Sequence, residues 1–133
     1  MTNEQKQIAH QCLRGAENDE MTFPEIVGVL TKAGFEGYAV DFRRGASTYY
    51  MPDGTLDDLD TSDKEDGIAA GFDIEAIRGA IAEAQQFVPG YSYRGFCRKV
   101  IEAGCAGYMV SLSGRRALYY GRTGETHTEL FPA

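Results

Sequence analysis

Apolar positions recur along this chain with two alternating periods, and the changes of period mark its elements. In residues 4–17, Ile8, Cys12, Leu13 and Ala16 fall at helical spacing with Gln, Lys and Arg between them, which predicts a first amphipathic helix that weakens at Gly15 and Asn18-Asp19. Thr22-Phe23-Pro24-Glu25 has the form of a capping box, in which the threonine oxygen accepts from an orphan backbone N–H and the glutamate reaches back. Proline is tolerated in that first turn because its missing N–H would have had no helical partner. Phe23, Ile26, Val27 and Leu30 then follow at i, i+3, i+4 and i+7, and Gly34 supplies the stop of a second helix. From Gly37 the period falls to two. Tyr38, Val40 and Phe42 alternate with Ala39, Asp41 and Arg43 as in a half-buried strand, Arg44-Gly45-Ala46 turns, and Ser47–Met51 returns to end at Pro52-Asp53-Gly54.

The pattern then comes back. Residues 22–55 align without a gap on residues 92–125, so that Ala33-Gly34, Gly37-Tyr38, Val40, Tyr49-Tyr50 and Gly54 return as Ala103-Gly104, Gly107-Tyr108, Val110, Tyr119-Tyr120 and Gly124. Asp73 is placed to cap a third helix with the stripe Ile74, Ile77, Ile81 and Ala84, which Pro89-Gly90 ends. Ser92 caps a fourth, where Tyr93, Phe96, Cys97 and Val100 reproduce the stripe of the second. Tyr108, Val110 and Leu112 begin a strand, Ser113-Gly114-Arg115 turns it, Ala117–Gly121 returns, and Glu125–Phe131 alternates as a last strand. Each half therefore reads as helix, helix, hairpin, with an extra strand in the second. A lone hairpin is marginal in water, whereas two can share a sheet. The expected fold is α+β: a single domain over residues 1–133, made by internal duplication of the helix-helix-hairpin unit, with a mostly antiparallel shared sheet covered by about four helices. The repeats are about 3–55 and 73–131. Residues 56–72, rich in aspartate, are expected to form a solvated acidic linker between them.

Composition narrows the functional classes. Hydrophobic residues make up 43% and charged residues 25%, as in ordinary folded domains, with no apolar run that could span a bilayer and no signal-peptide pattern at Met1–Lys6. A cytoplasmic protein without membrane contact is expected. Cys12, Cys97 and Cys105 are odd in number and lack CxxC spacing, so neither a disulfide framework nor a zinc site is suggested. The aspartates of residues 56–71 do not supply calcium ligands in EF-hand order. No phosphate-loop, dinucleotide or serine-nucleophile motif is present, and neither a metal nor a cofactor is expected. A net charge of −7 argues against general attraction to nucleic acid. The charge is uneven, however: residues 1–70 hold six basic and fourteen acidic side chains, residues 71–133 seven and six. The basic side chains among residues 90–122 make weak nucleic-acid binding a subordinate reading.

Three groups of residues and one cleft are candidates for function. One tyrosine of each strand pair, Tyr49-Tyr50 and Tyr119-Tyr120, should face the core and the other outward, where it could bind a partner. Arg43-Arg44 and Arg115-Arg116 lie near the hairpin tips and could clamp a phosphate or carboxylate. Cys97, activated by His10, is the candidate for catalysis, although its stripe position suits a buried structural thiol. The cleft between the halves is a candidate for a ligand, and related surfaces suit a homodimer.

Ala9-His10, Phe23-Pro24, Gly37-Tyr38, Tyr49-Tyr50, Phe96-Cys97-Arg98, Tyr119-Tyr120, Gly124-Glu125 and Phe131-Pro132, in this order over nearly the whole chain, resemble the YbcV/YdfO-like family. These are uncharacterised small proteins of prophages and bacterial genomes, often labelled phage envelope proteins. The resemblance implies a phage or prophage origin and carries over no catalytic residues; His10 and Cys97 match family positions. The leading expectation is a non-enzymatic binding or interaction module whose partner is a protein or a small anionic ligand, with a Cys97/His10 enzyme as the alternative.

Overall fold

The structure, a computed structural model, describes residues 1–62 and 67–132. Helices α1 (Asn3–Glu17) and α2 (Phe23–Lys32) precede strands β1 (Gly37–Asp41), β2 (Ala46–Tyr50) and β3 (Leu56–Asp60); helices α3 (Ile74–Gln86) and α4 (Tyr93–Glu102) precede β4 (Cys105–Ser111), β5 (Arg116–Gly121) and β6 (Thr126–Leu130). Side chains at the N-caps start every helix. Thr2 with Gln5 and Thr22 with Glu25 form capping boxes, while Asp73 and Ser92 accept from Ala76 N and Gly95 N.

The six strands form one sheet in the order β3-β2-β1-β4-β5-β6, antiparallel at every pairing. Its registers repeat at an offset of 70 residues: Tyr38 pairs with Tyr49 as Tyr108 pairs with Tyr119, and Tyr50 with Leu56 as Tyr120 with Thr126. At the centre, Tyr38 pairs with Val110 and Val40 with Tyr108 on either side of Ala39 and Met109, which places a local pseudo-two-fold axis between β1 and β4. The four helices cover the face that carries Tyr38, Val40, Tyr49, Tyr108, Val110 and Tyr119, and the core lies between, filled by side chains such as Leu30, Ile77 and Val100. Each such aliphatic burial contributes roughly 1.5–3 kcal/mol. Gly107 lets the strands close up, since a Cβ there would collide with the Val40 carbonyl oxygen and the Tyr120 hydroxyl.

The α+β class, the four helices and the antiparallel sheet match the reading of the sequence. The stretch expected to be a linker does not. Leu56–Asp60 is strand β3, so the extra strand occurs in both halves. Its aspartates are accommodated because it is an edge strand, where carboxylates can stay in water or pair: Thr48 Oγ1 donates to Asp58 Oδ1 at 2.6 Å and Arg44 Nη2 to Asp58 Oδ2 at 2.8 Å. Asp63, Glu65 and Asp66 of the expected linker lie outside the described residues.

Candidate functional site

Strand alternation sends one tyrosine of each pair inward, as expected: Tyr49 and Tyr119 are buried, whereas Tyr50 is exposed and Tyr120 half-buried on the opposite face. The register then adds two tyrosines that the sequence reading used only as strand and repeat markers. Tyr38 and Tyr108 stand beside Tyr49 and Tyr119 on the same face, so four rings cross the sheet in the order Tyr49, Tyr38, Tyr108, Tyr119, with centroid separations of 5.3, 6.4 and 5.3 Å. From α4, Tyr93 shares a hydroxyl–hydroxyl hydrogen bond with Tyr108 at 2.8 Å, and Phe96 meets Tyr119 edge-on.

These rings floor a cavity of about 180 Å³ between helices and sheet. Cys12, Leu13 and Ile26 line its helical side and Ser47 and Ala117 its sheet side, and it opens beside the exposed ring of Phe23, which meets Phe131 edge-on at 5.5 Å. Among the described lining residues none is basic; the two acids, Asp19 and Glu129, are engaged, Asp19 Oδ1 accepting from Tyr93 N at 3.1 Å and Glu129 lying 2.9 Å from His127 Nε2. Burial pushes the phenols of Tyr38, Tyr49, Tyr93, Tyr108 and Tyr119 above their ordinary value and the Cys12 thiol up to about 11, so the floor is uncharged at neutral pH. One wall atom stands out. The Ser47 hydroxyl is fully buried and has no hydrogen-bond partner. It is near enough to the Tyr49 phenol to favour that group's ionised form, without reaching hydrogen-bond geometry.

The remaining sequence candidates do not assemble into the sites expected of them. The antiparallel pairing of β1 with β4 sets Asp41 opposite Gly107 and Gly37 opposite Ser111, so the two hairpin tips lie at opposite ends of the sheet. They are separated by roughly 13 Å or more along the strands, and the two arginine pairs cannot grip one anion. Arg44 pairs with Asp58, Arg116 Nε donates to the Gly114 carbonyl, and Arg115 lies 5.4 Å over the ring of Phe131 at the cavity mouth. Arg43 and Arg44 instead come near Tyr120, where they partly offset the rise in its pKa caused by burial, Asp41 and Cys105. Cys97 lines a separate cavity of about 60 Å³ with Glu17, Tyr93, Arg94 and Arg98, whereas His10 is exposed on α1 and does not line it. That thiol and imidazole therefore do not share a cavity. Burial pushes Cys105 up to about 11, a poor nucleophile.

Among the described residues there is no group of three or more His, Cys, Asp and Glu side chains that could hold a metal ion, and no helix is long and apolar enough to cross a membrane. No family model matches the chain, and no curated protein matches it. Sequence reasoning missed Tyr38, Tyr108, Tyr93 and Ser47 as site residues. The recurring Gly-Tyr pairs were the available signal for the first two.

Proposed function

We propose that this chain is a non-enzymatic binding module that takes a small molecule into the cavity between its helices and its sheet. The observation that carries this reading is the cavity itself: about 180 Å³ left open over four buried tyrosines, with the Ser47 hydroxyl on its wall and no partner for it. Well-packed interiors leave few voids larger than a water molecule, and buried hydroxyls are almost always paired. That Cys97 and His10 do not share a cavity supports binding over catalysis. The identical registers of the two halves support an origin by internal duplication, and the resemblance noted above favours a protein of phage or prophage type.

A fragment panel followed by amide chemical shifts tests the reading. Ring compounds should shift the resonances of residues around Tyr38, Tyr108 and Ile26, and Ala84→Phe, which fills the cavity from α3, should abolish those shifts while preserving the fold. Shifts that survive the substitution, or a panel without any cavity binder, would dismiss it. A second reading, a homodimer formed through the uncovered face of the sheet, is favoured by the exposed apolar side chains there: Tyr50, Leu56, Met109 and Leu130.

A further inference from the structure

We infer that the cavity selects a small neutral ring compound bearing one hydrogen-bonding oxygen, which Ser47 orients. This rests on the reading that the cavity binds a ligand, and it adds the ligand's chemistry.

Size comes first. An apolar cavity of about 150 Å³ is enough to hold benzene, so about 180 Å³ accommodates one ring with a small substituent and not a fused polycycle. Charge comes next. A buried ion needs a counter-ion or a set of hydrogen bonds. The described lining residues offer an anion no basic group, and the acids Asp19 and Glu129 would repel it. They offer a cation little more, because both carboxylates already have partners. The phenols of the floor, held neutral by burial, suit ring-on-ring contact rather than ion pairing.

The polar handle follows from a difference between the halves. Ser47 and Ala117 occupy equivalent positions 70 residues apart, and both line the cavity. One of these two equivalent strand positions therefore presents a methyl group to the cavity and the other a hydroxyl. That hydroxyl has no accessible surface and no partner where it stands, and a ligand oxygen that displaces the atoms packed against it can donate to it or accept from it. A ring with one hydroxyl or carbonyl satisfies Ser47 at one end and meets Ala117 and the aromatic rings with its apolar remainder. Ser47→Ala copies the residue that already stands in the other half, so the substitution is compatible with this packing.

Four probes decide: phenol, toluene, benzoate and benzylammonium, titrated at neutral pH against the whole chain and against Ser47→Ala, with binding read from amide shifts. Phenol and toluene should bind, and the two ions should bind at least tenfold more weakly. Ser47→Ala should weaken phenol about five- to tenfold, as expected for one hydrogen bond, and leave toluene unchanged. Benzoate or benzylammonium binding as tightly as phenol would overturn the inference while leaving a binding module. So would an unchanged phenol-to-toluene ratio in Ser47→Ala. If none of the four shifts the cavity resonances at millimolar concentration, the inference falls together with the binding reading beneath it.

Discussion

Glu17 is almost fully buried at the end of α1, where a carboxylate meets the negative end of the helix dipole. Its neighbours reverse that disadvantage. Ser62 donates through its backbone N–H and its hydroxyl, each at 2.7 Å, and Arg14 forms an ion pair with the same carboxylate while donating to the Asp60 carbonyl. Burial raises the pKa of Glu17, and the bonds from Ser62 and Arg14 outweigh it, holding the group below its ordinary value of 4.5. A depressed carboxylate stabilises the fold above its unfolded pKa, and that contribution is lost as pH falls through the folded value. Glu17→Gln should therefore cost about 1–2 kcal/mol at neutral pH, with the difference from the parent shrinking as pH falls below 4.5. Urea unfolding across that range checks it; a difference that stays constant into acid would mean that ionisation of Glu17 contributes nothing. Nothing near Glu17 in the chain announced this role, because Ser62 lies 45 residues away and on the stretch taken as linker. The inward turn of Tyr49 and Tyr119, by contrast, was legible, since strand alternation is a local property. Ser47 was invisible for the opposite reason: a serine in a strand acquires meaning only when its surroundings leave it unpartnered.

Strand β3 shows the same limit in an entire segment. Leu56-Asp57-Asp58-Leu59-Asp60 has too many aspartates to read as a strand, because aspartate disfavours strands wherever the sheet is buried. At an edge the balance changes, and the carboxylates guard the open backbone against pairing with another chain. The hydrogen bonds from Met51 N to the Thr55 carbonyl and from Thr61 N to the Gly45 carbonyl fix which amides point inward. Continuing that alternation, the amides of Asp57 and Leu59 face β2, and those of Leu56, Asp58 and Asp60 face outward. Amide hydrogen exchange should accordingly find Asp57 and Leu59 protected and the three alternate positions fast; uniformly fast exchange over residues 56–60 would restore the linker. The hairpin tips carry a related lesson. Arg43, Arg44 and Arg115 fall on turns and Arg116 opens β5, near the hairpin tips as expected, but which end of the sheet each tip occupies depends on the pairing of β1 with β4, whose partners lie far apart in the chain.

Taken as a whole, the molecule has one face of its sheet covered by helices and one open. The open face carries Tyr50, Leu56, Ala39, Met109, Leu118 and Tyr120, with Ala39 and Met109 paired at the pseudo-two-fold centre. Six strands about 4.8 Å apart and about five residues long make a patch of roughly 25 by 17 Å. That is smaller than a standard specific interface, so a dimer built on it should be weak, with a dissociation constant no tighter than the micromolar range. Charge selects its geometry. Two copies stacked about an axis parallel to the strands set the acidic β3 side of each against the β5–β6 side of the other, opposing the half with fourteen acids to the half with six. The perpendicular axis would set β3 against β3 and bring Asp58 and Asp60 against their own copies. In either closed arrangement Met109, 45% exposed and central, approaches its twin. Met109→Lys would then place two like charges in a desolvated centre, which should weaken the dimer by at least a hundredfold and leave the thermal midpoint of the monomer nearly unchanged. Sedimentation velocity over a concentration series measures both chains. A parent protein that remains monomeric at high micromolar concentration rules out the homodimer, and a dimer indifferent to Met109→Lys moves the interface away from this face.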